Sequence, residues 1–324
     1  MKKKWIPALI ITVLAIAASS VLIIPRAAFK LITDYKPYSH EMVLNSSEMC
    51  ADFGISNCRS PEDYGYNFVE HDYRSLDSLA LNGWFVPAKK KRNKCIVLIH
   101  GRTSNRLKTM KFLALVDSLA LDTAYNVFIP DLRNSGKSAP AKTYMGYKFG
   151  EDLTATLLML KQSFAQDTII LYGFSMGAMA IGNALGRSEL RGLLEKNHVV
   201  AEKIILDSPL ANVKETLRDQ SSEVLFGGLY FSEIFRRYSE SIDGFGEQMR
   251  LSKLLPTSIP VLILQSKDDQ TTLNKNLEVE LNEMQEYQNL DVVFFEGPDH
   301  VRIFQDERTR LKYLESVENF LADN

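Results

Sequence analysis

Cysteine is scarce in this chain, with Cys50, Cys58 and Cys95 the only three among 324 residues. So few thiols exclude a disulfide-stapled scaffold and a cysteine-rich zinc site. Cys50 and Cys58 are open to pairing in an oxidising compartment or to standing as two free thiols. Cys95 begins an apolar run and is expected to be a buried thiol. An excess of one charge is missing too. Lys and Arg number 38 against 40 Asp and Glu, a formal net charge of −2. That leaves no basic surplus for a nucleic acid to bind. The sequence has no His-Glu-x-x-His and no Cys-x-x-Cys, so neither a metal nor a cofactor is expected. Gly136-Lys137-Ser138 ends like a phosphate loop, but Asp131 stands where its first glycine is required. With 45% hydrophobic and 24% charged residues, the totals are those of a globular domain, not of a disordered or polytopic chain.

Long apolar runs are also lacking, with one exception. After Met1-Lys2-Lys3-Lys4, positions Trp5 to Ile24 carry no charge. At about 1.5 Å per residue such a helix crosses a bilayer core of roughly 30 Å. Secretory signals have a shorter apolar stretch, and here Val21-Leu22-Ile23-Ile24 continues past the candidate cleavage site Ala15-Ile16-Ala17. Residues 1–24 therefore read as an uncleaved signal anchor, with a cleaved signal (and so a secreted protein) or a buried core helix as the alternatives. Lysines cluster before the run, while Arg26, Lys30 and Lys36 follow it. This asymmetry favours a cytoplasmic N-terminus and a single-pass protein whose bulk is extracytoplasmic.

Residues 25–65 show no clear period and read as a stalk and lead-in. From 66 to 324 the pattern is that of one domain. Phe68–Arg74 and Leu79–Val86 read as a hairpin. Apolar runs at Cys95–Ile99, Val127–Pro130, Thr168–Tyr172, Lys203–Leu206, Val261–Leu264 and Val292–Phe295 alternate with helical spacing at 105–121, 149–164, 176–190 and 301–321. Such alternation predicts βαβ units, a mostly parallel sheet and helices on both faces. Residues 208–259 interrupt it and read as an inserted helical cap. Its aromatics, Phe226, Tyr230, Phe231, Phe235, Tyr238 and Phe245, serve either a ligand or the cap's own packing. Lys89–Lys94, the one charge run, reads as a solvated turn.

The sharpest chemical signal is Gly173-Phe174-Ser175-Met176-Gly177, between a strand and a helix. A turn that sharp needs small flanking residues, and it lifts the serine oxygen above the sheet edge at a helix N-terminus. A serine hydroxyl needs a base, and the base needs an orienting carboxylate. Among the five histidines, His300 alone follows both a late strand and a plausible acid. The acid is expected to be Asp269, just past the strand 261–264, with Asp268 and Asp207 as rivals. Two backbone N–H donors should stabilise the oxyanion, from Met176 and from Arg102 in the loop after Cys95–Ile99. His100 then shapes that loop and is not the base.

His100-Gly101, Asp131 to Ser138, Gly173 to Ala178, Asp269 and His300 stand in an order that resembles the α/β-hydrolase superfamily. The segments Thr143–Tyr147 and Glu151–Leu153 are similar to its bacterial serine aminopeptidase-like, Bem46-type branch. The resemblance covers roughly residues 66–322 and implies the α/β-hydrolase fold. Two departures occur: Gln265-Ser266 stands where the family often has His-Gly, and Thr271-Thr272 where it often has Val-Pro. A membrane-anchored serine hydrolase is expected, acting on a small-molecule, acyl or peptidyl ester, thioester or amide, with esters favoured. A peptidase and a catalytically silent, membrane-tethered binding module are the alternatives.

Overall fold

The computed structural model describes residues 5–33, 35–45, 59–222, 227–242 and 248–322. Cys50, Cys58, Phe226 and Phe245 lie outside them. Eight strands, β1 (Val69–Arg74), β2 (Ala80–Val86), β3 (Lys94–Ile99), β4 (Asn126–Asp131), β5 (Thr168–Phe174), β6 (Val200–Asp207), β7 (Val261–Ser266) and β8 (Leu290–Phe295), form one sheet. Its order is β1-β2-β4-β3-β5-β6-β7-β8. β1 and β2 pair antiparallel, as do β2 and β4, and every other pairing is parallel.

The helices that matter here are α1 (Trp5–Thr33), α2 (Tyr147–Phe164), α3 (Gly177–Gly186), α4 (Ser188–Lys196), α5 (Val213–Ser222), α6 (Gly227–Ser241), α7 (Asn274–Glu283) and α8 (Glu307–Ala322). The inner strands carry continuous apolar runs, as at Cys95–Ile99 and Val261–Leu264, where both of their faces are covered. In β3, Cys95, Val97 and Ile99 face a core shared with α2, α3 and the cap, whereas Ile96 and Leu98 face a second core shared with α8. Cys95 is a fully buried free thiol.

Where the elements differ from the periodicity, a local cause is visible. The stretch 105–121 is broken into short helices at Arg106–Thr109 and Leu113–Ser118. The stretch 176–190 splits because Arg187 is extended (ψ 120°), so α3 stops and α4 begins anew at Ser188. The last helix starts at Glu307, not 301. Val301 has φ +52°, outside the helical region, and Asp306 Oδ1 accepts from the N–H of Arg308 at 2.9 Å, capping the true start.

The N-terminal part is more closely joined to the domain than a stalk implies. One helix among the described residues is long and apolar enough to cross a membrane, Pro7–Lys30, 24 residues. It continues past Ile24, through Pro25, to Thr33. Ala28, Phe29 and Ile32 pack against the larger core, and Phe29 meets Tyr238 of α6 edge-on at 4.8 Å. The next few residues are pinned to the loops above the sheet. Tyr38 N–H donates to Asn134 O, and Tyr38 O accepts from Gly136 N–H and Asn105 Nδ2. His40 Nε2 lies 3.1 Å from buried Asp131.

The insertion between β6 and β7 forms α5 and α6. Tyr238 is fully buried against Phe29 and Tyr144, and Phe231 stacks on Phe235 at 5.6 Å. Its base is held by buried Glu280, which accepts from Asn212, Arg250 and Ser252.

Candidate active site

Ser175 sits on the turn between β5 and α3 with φ +53°, the left-handed region. Three glycines around it allow close approaches, most strictly Gly177, whose neighbour is backbone. A Cβ on Gly177 would stand 2.3 Å from Ile99 O, and one on Gly173 would stand 2.7 Å from Ile181 Cδ1. One on Gly101 would stand 2.8 Å from Ser175 Cβ and 3.2 Å from Met176 N. The loop after β3 is thus pressed against the serine turn, and the backbone at Arg102 and Met176 is brought to one place. The turn is fixed from below, since Ser175 N–H donates to Asp207 O at 3.0 Å and Leu210 N–H donates to Ser175 O at 3.0 Å. α3 begins two residues later, so the positive end of its dipole lies beside the serine.

His300, 31 residues after Asp269, is carried by the loop beyond β8. Its Nδ1 lies 2.7 Å from Asp269 Oδ2. An ionised carboxylate only accepts, so Nδ1 carries the proton of this contact, and in a neutral ring Nε2 then keeps its lone pair. Asp269 is 1% exposed. Its Oδ1 accepts from the N–H groups of Thr271 and Thr272, both at 2.8 Å, and its Oδ2 accepts from Thr272 Oγ1 at 2.8 Å. Burial works against its charge, but hydrogen bonds from His300 and Thr272 outweigh it and hold the carboxyl below the ordinary carboxylate value.

The other acids point elsewhere. Asp268 Oδ2 accepts from Gly297 N–H at 2.6 Å and steadies the loop before His300. Asp207 accepts from Tyr313 Oη at 2.7 Å and from Ser208 Oγ at 2.9 Å. It is buried, and desolvation raises its pKa despite those donors. His100 is occupied at both nitrogens: Nδ1 donates to Gly101 O at 2.7 Å, and Nε2 accepts from Leu132 N–H at 2.9 Å. That arrangement requires the neutral ring, and burial lowers its pKa accordingly. His100 therefore ties the loop after β3 to the loop after β4.

Ser175 and His300 line one cavity of about 200 Å³, together with Gly101, Arg102, Phe112 and Phe174. The structure thus gathers Ser175, Asp269, His300, Arg102 and Met176 at one end of the sheet. Among the described residues no cluster of His, Cys, Asp and Glu is fit to hold a metal.

Two further residues support the Asp269–His300 pair, in positions to which the sequence alone assigned no role. Thr272 touches both members of the Asp–His pair, with its Oγ1 3.2 Å from His300 Nδ1. Ser208 Oγ accepts from Val301 N–H at 3.1 Å, next to His300, while its carbonyl oxygen lies 3.1 Å from Thr272 Oγ1. Asp269-Gln270-Thr271-Thr272, an acid with threonines two and three residues on, is a turn signal that points to the first. Nothing local points to the second.

A family model described as the alpha/beta hydrolase fold matches residues 94–212. No curated protein matches the chain significantly. Among solved structures, the esterase Pf2001 of Pyrococcus furiosus is similar at 20% identity and TM-score 0.59, over 81% of this chain and 93% of that one. An alpha-beta hydrolase from Vibrio vulnificus is similar at 15% identity and TM-score 0.59, over 92% and 94%. The esterase EaEST of Exiguobacterium antarcticum is similar at 18% identity and TM-score 0.52, over 78% and 99%. At such identities the likeness speaks for the fold, and the chain has the α/β-hydrolase fold.

Proposed function

We propose that this chain is a membrane-anchored serine hydrolase that cleaves a carboxylic ester through an acyl-enzyme. The observation that carries this reading is the Asp269–His300 contact of 2.7 Å on a ring that lines the same cavity as Ser175. Ser175 Oγ attacks the ester carbonyl while His300 Nε2 takes its proton, and Asp269 holds the imidazole and steadies the imidazolium. The N–H groups of Arg102 and Met176 receive the oxyanion. The ester C–O bond breaks, and His300 returns the proton to the departing alcohol. Water, deprotonated by His300, then attacks the acyl carbon, and Ser175 leaves with its proton restored.

Esters are preferred to peptides because, among the described residues, no acidic side chain lines the cavity to hold a peptide amine. The Bem46-type affinity rests on the segments 143–147 and 151–153. The anchor is Pro7–Lys30, and the lysines before it favour a domain on the far side of the membrane.

Labelling with a fluorophosphonate probe tests the reading. Wild type should be labelled, and Ser175→Ala should abolish labelling while His300→Ala slows it by orders of magnitude. Labelling that persists in Ser175→Ala would remove the serine from its role.

A further inference from the structure

Residues 207–210, which end β6 and enter the cap insertion, touch each of the segments that carry Ser175, Asp269 and His300. On the serine side, Asp207 O accepts from Ser175 N–H and Leu210 N–H donates to Ser175 O, both at 3.0 Å. On the acid side, Ser208 O lies 3.1 Å from Thr272 Oγ1, the hydroxyl that meets Asp269. On the histidine side, Ser208 Oγ accepts at 3.1 Å from the N–H of Val301, one residue beyond His300. Ser208 N–H donates to Leu264 O at 2.9 Å, which ties the segment to β7.

The link to the histidine loop is the one made by a side chain of this segment. A hydroxyl has one proton and two lone pairs. The proton of Ser208 goes to Asp207 Oδ1 at 2.9 Å, and that commitment leaves a lone pair for Val301 N–H. Asp207 is held in turn by Tyr313 Oη at 2.7 Å, so the hydroxyl has a fixed partner beneath it. Ser208 is fully buried and has φ +50°, and Val301 has φ +52°. A β-branched residue seldom adopts the left-handed region, so the bend at Val301 persists only where the surrounding structure holds it.

We infer that Ser208 is a positioning residue whose hydroxyl sets where the His300 imidazole stands relative to Ser175. The inference rests on the hydrolase reading above and adds to it a residue that acts through the loop, not on the substrate. The backbone of the segment fixes the serine turn, and the hydroxyl carries that reference across to the histidine. Without the hydroxyl, Val301 N–H loses its acceptor and the bend after His300 relaxes. The ring then stands out of line for the proton transfers at Nε2, while the pocket that binds the ester is unchanged.

The full chain is compared with Ser208→Gly and Ser208→Ala. Glycine relieves the left-handed backbone and alanine keeps the Cβ, so a loss common to both belongs to the hydroxyl. Each preparation is given two acetate esters. The leaving group of p-nitrophenyl acetate departs without a proton, whereas the alcohol of ethyl acetate needs one from His300. In both variants kcat on ethyl acetate should fall about ten- to hundredfold with KM within about twofold, the effect of a displaced catalytic group. The fall in kcat/KM on p-nitrophenyl acetate should be at least about threefold smaller, because only one of the two proton transfers of acylation is needed there. Since both esters are read in one preparation, the ratio of the losses does not depend on how much of it is folded. Wild-type rates in both variants would overturn the inference. So would equal losses on the two esters, the result of a serine that only stabilises the fold. Absence of turnover together with absence of fluorophosphonate labelling in the wild type would instead overturn the hydrolase reading itself.

Discussion

Asp207 at the end of β6 and Asp269 just beyond β7 are buried carboxylates on neighbouring strands, and their surroundings push them in opposite directions. Asp269 accepts two backbone N–H groups, a threonine hydroxyl and an imidazole N–H. Asp207 accepts two hydroxyls, from Tyr313 and Ser208. Burial disfavours the charge at both, and only at Asp269 do the donors win. Position at a strand end and depth in the protein are therefore shared by the acid proposed to orient His300 and one that is not. What separates them is the number and kind of donors, above all a histidine that opens onto the cavity.

The largest effect that would break this contrast is on turnover. Asp269→Asn should lower kcat by about 10³–10⁴, because an amide can neither fix the Nδ1–H tautomer nor steady the imidazolium. Near-normal steady-state rates would shift the orienting role away from Asp269. Thr272→Val is smaller: it removes one hydroxyl donor to Asp269 Oδ2, worth about 1 kcal/mol, so kcat/KM should fall about fivefold. An unchanged value would show that Thr272 only shapes the turn. Asp207→Asn is expected to stay within about threefold of wild type, since an amide oxygen still accepts from Tyr313. A loss as deep as that of Asp269→Asn would erase the distinction between the two acids.

Acid stability sharpens the same contrast. Asp269 has a depressed pKa, so its contribution to folding is present above the ordinary carboxylate value of about 3.9 and lost as pH falls through its lower native value. The Tm deficit of Asp269→Asn should therefore shrink on acidification. Asp207 has a raised pKa, so its native state holds a proton longer than the unfolded chain does, and stability is lost as pH rises from about 3.9 through the native value. Asp207→Asn should accordingly gain Tm relative to wild type as pH rises. Thermal melts of both variants at several pH values decide the signs, and parallel trends would refute the comparison.

Much of this arrangement was legible in the sequence because it rests on local grammar. Continuous apolar runs marked β3 to β8, and the glycines around Ser175 marked a turn that tolerates no Cβ. Chain order alone singled out His300. Less legible were features made by distant partners. Tyr35, Tyr38 and His40 sit in a stretch without period, and only the folded chain brings them to Arg102, Asn134 and Asp131. Ser208 joins Asp207 to the His300 loop across 93 residues, and no spacing rule encodes that. Helix ends were missed where a single residue leaves the helical region, as at Arg187 and Val301.

The passage from apolar helix to folded body has a practical corollary. Phe29 fills a notch beside Tyr238, and Tyr38 is laced to Asn105, Asn134 and Gly136. The described residues on either side of position 34 are therefore held by contacts with the body. With α1 set in a bilayer, as proposed, a body held in this way keeps one attitude towards it. A version without the apolar run has to be trimmed within the helix, upstream of Ala28, because cutting at the end of the helix would also remove Ala28, Phe29 and Ile32, which pack against the core and the cap.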